Sequence, residues 1–426
     1  EIANAVGGNL SRDFSIDGIQ IDSRTVSKGD LFVAIRGEFN DGHDYLEQAV
    51  ARNTTGFLVE DKKDLKENVI VVENSFDALW DLAKAARARL TAHTIGITGS
   101  VGKTGTKELL IKAFEAVGIT NGTVGNLNNH YGLPLTLTRL PKETEYAILE
   151  MGMSAPEEIR PLSKLAQPHI AIITAIAAAH SEFFDSIEDI ALAKSEIFDG
   201  LLPSGTAILN RDDDHYEFLS AQLSTNRPDC QLLTFGTDPS SDAHLLSCSF
   251  DQATNEQQIS AQISGTKIDY KLSLSGQHWA LNSLAALLTV HAADGDVEKA
   301  ADKLAEVLPL PGRGQLLLCS TADNQEFTLI DESYNASPAA VEAAIRTLAQ
   351  LGRDRRTVLV LGDMRELGTQ SCEMHADLAS TVIENGIDLV FTSGSDSKAL
   401  LEAVPRNLVG CHKSTAIELK FPLLET

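Results

Sequence analysis

The segment TIGITGSVGKT at residues 94–104 combines residue types that can hold the phosphates of a nucleotide. Its first five residues predict a short buried strand, because β-branched residues surround Gly96. The strand leads into a turn made of Gly99, Ser100, Val101, Gly102, Lys103 and Thr104, and then into an apolar-periodic helix. Glycines allow backbone N–H groups to approach phosphates, and the positive end of the helix dipole adds to the attraction.

Two side chains of this turn have predicted roles in binding a nucleotide. Lys103 would reach the outer phosphates, and the hydroxyl of Thr104 would hold Mg²⁺. The spacing departs from the full eight-residue motif, whose first glycine would fall at Ile97. The alternative is an ordinary strand–turn–helix connection, but the order of elements favours a nucleoside-triphosphate site.

Two further polar residues follow apolar strands and are predicted to lie near this turn. Glu150 ends the strand 146–150, and His180 follows the apolar run 170–179. In an open parallel sheet, ligands bind outside the carboxyl ends of the strands, so both residues would share one edge with the turn. Alone, Glu150 could be a helix cap and His180 a satisfied loop histidine; their shared placement favours a functional site.

A lysine lies on the apolar face of the next predicted helix. That face is formed by residues at a spacing of three to four, namely Ile187, Ile190, Ala191, Phe198 and Leu201. Lys194 falls on the same face, where an unpaired ammonium costs several kcal/mol. The side chain either extends along its stem to the surface or is held inward to act at the nucleotide site, and the spacing alone leaves both interpretations open.

Amide side chains form a second group of candidates. Asn128 and Asn129 lie in the loop GNLNNHYG at residues 125–132, which favours a tight turn and could bind a polar ligand. Asn282 lies within the predicted helix 276–291, where asparagine is unfavourable by propensity. It therefore either binds a ligand or is a buried amide bonded to the backbone.

Other polar positions are less informative. Ser23, Arg24 and His43 lie at predicted strand ends in the first 90 residues, where they either bind a substrate or are solvated loop residues. The acidic run at residues 212–214 follows the predicted strand 206–209. It could assist Mg²⁺ or a ribose, although acidic turns are common.

Strands alternate with helices along most of the chain, which predicts an α/β fold with parallel sheets. With 426 residues, we expect three domains: a small α/β domain at 1–90, a central parallel-sheet P-loop domain at 91–312 and a Rossmann-like domain at 313–426. Residues 308–314 hold two prolines and two glycines and are the predicted linker and hinge. Arg313, within this linker, could reach a phosphate in the adjoining domain.

The composition restricts the possible partners. A formal net charge of −25 argues against nucleic-acid binding. The longest apolar run, at residues 170–179, is too short to span a bilayer, and no signal peptide is recognisable at the start of the sequence. The five cysteines are scattered and form no CxxC pair, which favours reduced thiols and a cytoplasmic setting.

Several long segments together resemble the Mur ligase family of bacterial cell-wall synthesis. At the N-terminal end these are DSRTVSKGDLFVAIRG and DGHD, which are similar to the uridine-nucleotide domain of the family. Further along the chain, GNLNNHYGLP, AHSEFFDSIEDIALAKSEIF, DESYNASP and GDMRELG are closest to the branch that adds a terminal dipeptide. The family has a short GxxGKT phosphate loop, which accounts for Ile97.

The resemblance implies an activity. The expected enzyme is an ATP-dependent amide ligase that adds D-alanyl-D-alanine to UDP-N-acetylmuramoyl tripeptide through an acyl phosphate, in cytoplasmic peptidoglycan precursor synthesis. The expected cofactors are ATP and Mg²⁺, and a monomer is expected. The first domain would bind the UDP-linked substrate and the central domain ATP. The three domains would close around the substrates at the predicted hinge.

The resemblance also implies roles for matching residues. Thr104 and Glu150 would bind one Mg²⁺, and His180 would bind a second together with a carbamate formed from CO₂ on Lys194. Around the nucleotide, Asn282 would contact the adenine, Tyr334 would pack on its face, Asp331 would hold the ribose and Arg313 would approach the phosphates. The residues implied to face the UDP-linked substrate are Ser23, Arg24, Asn128 and Asn129.

Three alternative functions fit the sequence less well. The tripeptide-making branch of the family carries a DNPR motif, which this sequence lacks. A folylpolyglutamate synthase would not account for the uridine-domain signature. A nucleotide-dependent switch or binding protein would need neither an inward Lys194 nor a second metal ligand at His180.

Overall fold

The computed structural model describes residues 1–37, 40–62, 65, 68–178, 181–251, 254, 256–322 and 324–413. Within these residues the chain alternates strands and helices and forms sheets covered by helices. The predicted α/β class is therefore confirmed. His180 lies outside the described residues.

The N-terminal part forms one small sheet with helices. Its elements are α1 (Ile2–Ala5), β1 (Asn9–Leu10), β2 (Gly18–Gln20), β3 (Asp30–Val33), α2 (Leu46–Ala51), β4 (Gly56–Val59), β5 (Val69–Val71) and α3 (Ser75–Arg89). The strand order is β1-β5-β4-β3-β2, and β1 alone among these described strands pairs antiparallel. Leu31 and Val33 pack into one core and Phe32 into another. Residues 31–33 of this strand are all apolar and buried because both faces of the sheet are covered.

Helix α3 links this part to the rest of the molecule. The sequence predicts a helix over residues 75–90 with Ser75 as its N-cap. That cap assignment is wrong, because the side chain of Asn74 accepts hydrogen bonds from the N–H groups of Phe76 and Asp77. The hydroxyl of Ser75 instead donates to Glu60. Residues of α3 contribute to two hydrophobic cores, one with the small sheet and one with the central part. The N-terminal sheet is therefore packed onto its neighbour through a shared helix.

The central part contains a large sheet with helices on both faces. Its elements are β6 (His93–Thr98), α4 (Lys103–Glu115), β7 (Thr120–Gly122), α5 (Gly132–Arg139), β8 (Tyr146–Glu150), α6 (Ile159–Ala166), β9 (Ile170–Ile173), α7 (Ile187–Ser195), β10 (Thr206–Asn210), α8 (Tyr216–Asn226), β11 (Gln231–Gly236), β12 (Ala243–Asp251), β13 (Glu256–Ile263), β14 (Thr266–Leu272), α9 (Gln277–Ala292) and α10 (Val297–Lys303). The order of its described strands is β14-β13-β12-β11-β10-β9-β6-β8-β7. The short polar–apolar alternation of residues 244–274 predicts antiparallel strands, and β12, β13 and β14 do pair antiparallel.

The register of the central sheet brings several strand ends to one edge. Strand β6 lies between β8 and β9, and Ile97 is paired with both Glu150 and Ile172. Strand β10 continues the parallel order beside β9. The segments that follow β6, β8, β9 and β10 therefore begin side by side, where a ligand site is expected.

The apolar face predicted for helix α7 is buried except at its first residue. Ile190, Ala191 and Phe198 are buried as predicted, but Ile187 is 38% exposed because the first turn of the helix lies at the surface. The helix begins after Ser186, whose side chain caps the N–H of Asp189. From residue 196 it tightens into a 3₁₀ turn that ends at residue 200.

The C-terminal part forms two small sheets. Its elements are β15 (Gln315–Ser320), β16 (Glu326–Asp331), α11 (Pro338–Leu351), β17 (Val358–Gly362), α12 (Ser371–Glu384), β18 (Leu389–Ser393), α13 (Lys398–Ala403) and β19 (Val409–Lys413). Strands β15 and β16 form an antiparallel pair, and β17, β18 and β19 pair in parallel in that order. Pro338 occupies the first turn of α11, where its missing N–H costs nothing.

Each sheet formed by the described residues uses strands from one of the predicted ranges only. The division at residues 90 and 312 stays a prediction. The linker is hydrogen-bonded to the loop after β16, because Tyr334 N donates to Gly312 O and Gly314 N donates to Asp331 O.

No helix among the described residues has both the length and the apolar character needed to cross a bilayer. None of the five cysteines, all within the described residues, forms a disulfide bond.

Candidate active site

The loop between β6 and α4 has the backbone shape of a phosphate cradle. Gly99 and Gly102 adopt positive φ angles of 150° and 85°, which glycine adopts without a steric penalty. A Cβ atom at Gly99 would collide with the side chain of Thr174. Helix α4 begins directly at Lys103, so its unpaired N–H groups and its positive dipole end face this loop.

The side chain of Lys103 folds back over the loop. Its Nζ donates hydrogen bonds to Gly99 O at 2.5 Å and to Ser100 O at 3.1 Å. Burial lowers the pKa of Lys103; the charge of Glu150 opposes this shift, and that of Arg313 adds to it. A lysine in this position presents positive charge to phosphates bound in the cradle.

Glu150 and Thr104 form a polar pair beside the loop. Thr104 Oγ1 donates to Glu150 Oε1 at 3.3 Å, and Asn128 Nδ2 donates to the same oxygen at 2.8 Å. Glu150 is 1% exposed, and its Oε2 has no hydrogen-bond partner among the described residues. A buried carboxylate oxygen without a partner is costly, so this oxygen is suited to a cation.

Lys194 is held inward and not at the surface. Its side chain is 1% exposed on α7. Burial, together with the positive charge of Lys103, holds the pKa of the Lys194 amine well below its ordinary value, against the opposing effect of Glu196. A lowered pKa leaves more of the amine neutral and nucleophilic near neutral pH.

The residues predicted to surround the nucleotide fall into two groups. A Cβ atom at Gly102 would lie 3.2 Å from Asn282 Oδ1, so this amide packs directly on the cradle. Arg313 Cζ lies 4.2 Å from the centre of the Tyr334 ring, in a cation–π contact. Asp331, the last residue of β16, accepts a hydrogen bond at its Oδ1 from Ser333 N in the loop that follows this strand.

The residues predicted to face the UDP-linked substrate lie in three separate settings. Ser23 Oγ donates to Gln48 Oε1 at 2.5 Å and is buried, whereas Arg24 is exposed and paired with Asp22. Asn128 contacts Glu150, as described above. Asn129 Oδ1 accepts from Tyr131 N and Gly132 N and so stabilises the start of α5. His180 cannot be located relative to these residues, because it lies outside the described part of the chain.

Two residues that contact the cradle were not predicted. Thr174 Oγ1 donates to Val101 O at 2.6 Å, and Ala175 O accepts from Ser100 N at 2.7 Å. Both residues directly follow β9, whose carboxyl end lies beside β6. Their role could have been predicted only from their position after the strand that neighbours β6. The order of strands in a sheet cannot be derived from a single sequence.

Comparison with other proteins assigns the chain to a family. A UDP-N-acetylmuramoyl-tripeptide–D-alanyl-D-alanine ligase of Rickettsia prowazekii is 33% identical over 406 residues, which are 95% of this chain and 88% of that protein. The chain belongs to the Mur ligase family. The family descriptions that match are "Mur ligase family, catalytic domain" at residues 15–92, "Mur ligase middle domain" at 97–290 and "Mur ligase, glutamate ligase domain" at 312–419.

Solved structures of other Mur ligases have the same fold. MurF from Acinetobacter baumannii superposes with a TM-score of 0.86 at 30% identity, over 97% of this chain and 88% of that one. MurF ligase from Thermotoga maritima, solved in complex with ADP, superposes with a TM-score of 0.77 at 27% identity, over 95% of each chain. The resemblance inferred from sequence motifs is therefore confirmed for the whole architecture of this Mur ligase.

Proposed function

We propose that the chain is an ATP-dependent ligase that joins D-alanyl-D-alanine to UDP-N-acetylmuramoyl tripeptide in peptidoglycan precursor synthesis. The observation that carries this proposal is the phosphate cradle with Lys103 beside the pair Thr104 and Glu150, whose Oε2 has no partner among the described residues. The buried amine of Lys194 on α7 supports it. The similarity to ligases of that name over most of the chain supports the choice of substrates. We propose a cytoplasmic, monomeric enzyme.

ATP fits the cradle between β6 and α4. The backbone of residues 99–104 would hold its phosphates, and Lys103 would turn from the carbonyl groups of the loop to the outer phosphates. Asn282 would contact the adenine, Tyr334 its face and Asp331 the ribose, while Arg313 would approach the phosphates. The ADP complex of the Thermotoga relative supports a nucleotide at this site.

The side chains of Thr104 and Glu150 fit a magnesium ion. The ion prefers oxygen ligands, and Glu150 Oε2 is a buried oxygen without a partner among the described residues. Bound Mg²⁺ supplies positive charge that offsets the negative charge of the transferring phosphoryl group. His180 would contribute to a second ion.

Lys194 would become an anionic ligand by reaction with CO₂. The neutral amine nitrogen bonds to the carbon of CO₂ and loses a proton, which gives a carbamate. Burial disfavours the ammonium form and so favours this reaction. The modification would replace a buried cation by a group that can share the second ion with His180.

The ligation proceeds in two steps. A carboxylate oxygen of the tripeptide attacks the γ-phosphorus of ATP, the bond to the bridging oxygen breaks, and ADP and an acyl phosphate form. The amine of D-alanyl-D-alanine then attacks the acyl carbon, and the tetrahedral oxyanion collapses to an amide with loss of phosphate and a proton. The positive charge of Lys103 stabilises the phosphoryl group during transfer. No nucleophile from the protein is needed.

The UDP-linked substrate would lie between the N-terminal sheet and the cradle. Ser23 and Arg24 would contact it from the N-terminal side, and Asn128 and Asn129 from the loop before α5. The loop of Asn128 reaches Glu150 directly, so the same loop could respond to substrate and to the metal site.

The alternatives predict different behaviour. A nucleotide switch would hydrolyse ATP without a carboxylate and an amine acceptor. The tripeptide-making ligase would accept a different amine, and the sequence lacks the DNPR motif of that branch.

Phosphate release tests the proposal. ATP and Mg²⁺ are supplied with UDP-N-acetylmuramoyl tripeptide, with D-alanyl-D-alanine, with both or with neither. Sustained release that requires both substrates supports the ligase. Release that does not depend on D-alanyl-D-alanine would leave a nucleotide site but contradict the proposed acceptor.

A further inference from the structure

Three consecutive aspartates follow β10 at the cradle edge of the sheet, and the proposed reaction uses none of them. Asp212 accepts hydrogen bonds from Thr237 N and Asp238 N, in the loop after β11. Asp214 is exposed. Asp213 alone faces the segment that follows β9.

The carboxylate of Asp213 is buried and bonded through both oxygens. Oδ2 accepts a hydrogen bond from Ile176 N at 2.6 Å, and Oδ1 accepts one from His215 N at 2.9 Å. The side chain is only 6% exposed. Hydrogen bonds from backbone N–H groups to a carboxylate are stronger than neutral ones, so the position of Ile176 is firmly fixed relative to the end of β10.

Ile176 directly follows the two residues that hold the phosphate cradle. Thr174 Oγ1 donates to Val101 O at 2.6 Å, and Ala175 O accepts from Ser100 N at 2.7 Å. Asp213 is fixed on the other side by the sheet, since β10 pairs with β9 along its length. A continuous series of hydrogen bonds therefore runs from Asp213, through residues 174–176, to the backbone of the cradle.

We propose that Asp213 is a positioning residue for the nucleotide: by anchoring Ile176, it keeps residues 174 and 175 against the cradle and so keeps the cradle in its binding shape. This inference rests on the proposed use of the cradle for ATP. The proposal does not require any of the three aspartates to bind a metal ion. Loss of the carboxylate leaves the N–H of Ile176 without its acceptor, and the segment that supports Ser100 and Val101 then loses its anchor.

The test is ADP binding to the full 426-residue chain, measured by calorimetry in the presence of Mg²⁺. We expect Asp213→Ala to weaken ADP binding by about tenfold, because a buried donor is left unsatisfied. Asp213→Asn keeps one acceptor oxygen for the N–H groups of Ile176 and His215, so we expect a smaller loss of ADP affinity, about threefold. The matched control is Asp214→Ala, which removes the exposed neighbouring carboxylate and should bind ADP as the unmodified chain does.

Affinity for UDP-N-acetylmuramoyl tripeptide separates positioning from general destabilisation. A folded Asp213→Ala protein that loses ADP affinity but keeps its affinity for the tripeptide supports the proposal. Unchanged ADP affinity, or equal loss of both ligands, overturns it. If Asp213→Ala does not fold, Asp213→Asn is tested in the same way. A loss of ADP affinity without loss of tripeptide affinity would support the proposal, and an unchanged ADP affinity would refute it. Because no turnover is measured, a failure of the proposed ligase activity would leave this test intact.

Discussion

Asn128 Nδ2 donates a hydrogen bond to Glu150 Oε1 at 2.8 Å, which joins the loop before α5 to the carboxylate proposed to hold Mg²⁺. The same loop is anchored by its backbone, because Gly152 N donates to Asn128 O at 2.9 Å. A side chain expected to face substrate therefore also orients the candidate metal ligand. Substrate binding at this loop and metal binding at Glu150 are expected to be coupled.

Asn128→Ala tests this coupling. Removing the amide frees Glu150 to turn, and loss of such an orienting partner lowers metal affinity or activity by about 10- to 100-fold. We expect the activity to require a higher Mg²⁺ concentration, measured as the Mg²⁺ dependence of phosphate release. Asn121→Ala is the control, since the amide of Asn121, on β7, donates to Thr144 Oγ1 instead. An unchanged Mg²⁺ dependence would show that Asn128 does not orient the metal site.

Lys103→Ala tests the cradle. Removal of the only cradle side chain proposed to meet the transferring phosphoryl group should lower turnover by about a thousandfold, while the melting temperature changes little. The buried residues Gly99 and Ser100 each lose a donor to their carbonyl group, so the melting temperature is measured to check that the variant stays folded. Lys112→Ala, on the exposed face of the same helix, should retain full turnover. Ligation at the unmodified rate by Lys103→Ala would contradict the assignment of this loop.

Substitutions of Lys194 test the carbamate. Lys194→Ala should be inactive, and Lys194→Arg should not restore activity, because a guanidinium keeps the charge but cannot react with CO₂. Incorporation of ¹³C-labelled CO₂, followed by NMR, should give a carbamate signal in the unmodified protein and none in either variant. Lys164→Arg, on α6, is the control and should keep the signal. Full activity of Lys194→Arg would rule the carbamate out.

The stacked histidines at the opposite edge of the sheet predict a pH dependence of stability. The rings of His93 and His169 lie 4.3 Å apart, and His169 Nδ1 accepts a hydrogen bond from Thr94 N. Burial, followed by the charges of His93 and Arg87, lowers the pKa of His169 from 6.5 to about 4. The unfolded chain therefore binds the proton more readily. The stability contributed by the neutral ring is present above pH 6.5 and is lost as the pH falls towards 4.

His169→Asn keeps an acceptor for Thr94 but does not titrate. We expect its melting temperature to fall less steeply than that of the unmodified chain between pH 6.5 and 4, measured by calorimetry at constant ionic strength. His291→Asn replaces an exposed histidine and should follow the unmodified chain. Parallel melting curves for His169→Asn and the unmodified chain would contradict the expected effect of burial.

Local periodicity predicted much of the fold. The strand and helix around the cradle, the strand ending at Glu150 and the antiparallel strands near residues 243–272 all follow from short-range patterns. The inward Lys194 was one of two interpretations of a helical spacing, and its burial selects between them. The cap of α3 was missed because Asn74 and Ser75 are adjacent and both are good capping residues.

Contacts between distant segments could not be predicted in the same way. Arg313 was expected to approach phosphates and Tyr334 an adenine, yet the structure stacks these two side chains on each other. That contact depends on the linker folding back on the loop after β16, which no local pattern encodes. The bond from Ile176 to Asp213 likewise depends on β9 and β10 being neighbours in the sheet.

The mass of the reaction product tests the central claim most directly. The chain is incubated with ATP, Mg²⁺, UDP-N-acetylmuramoyl tripeptide and D-alanyl-D-alanine, and the UDP-linked species is examined by mass spectrometry. The proposed function predicts a product heavier than the tripeptide substrate by one dipeptide minus one water, formed only when ATP is present. A UDP-linked species of unchanged mass, while ATP is consumed, would contradict it.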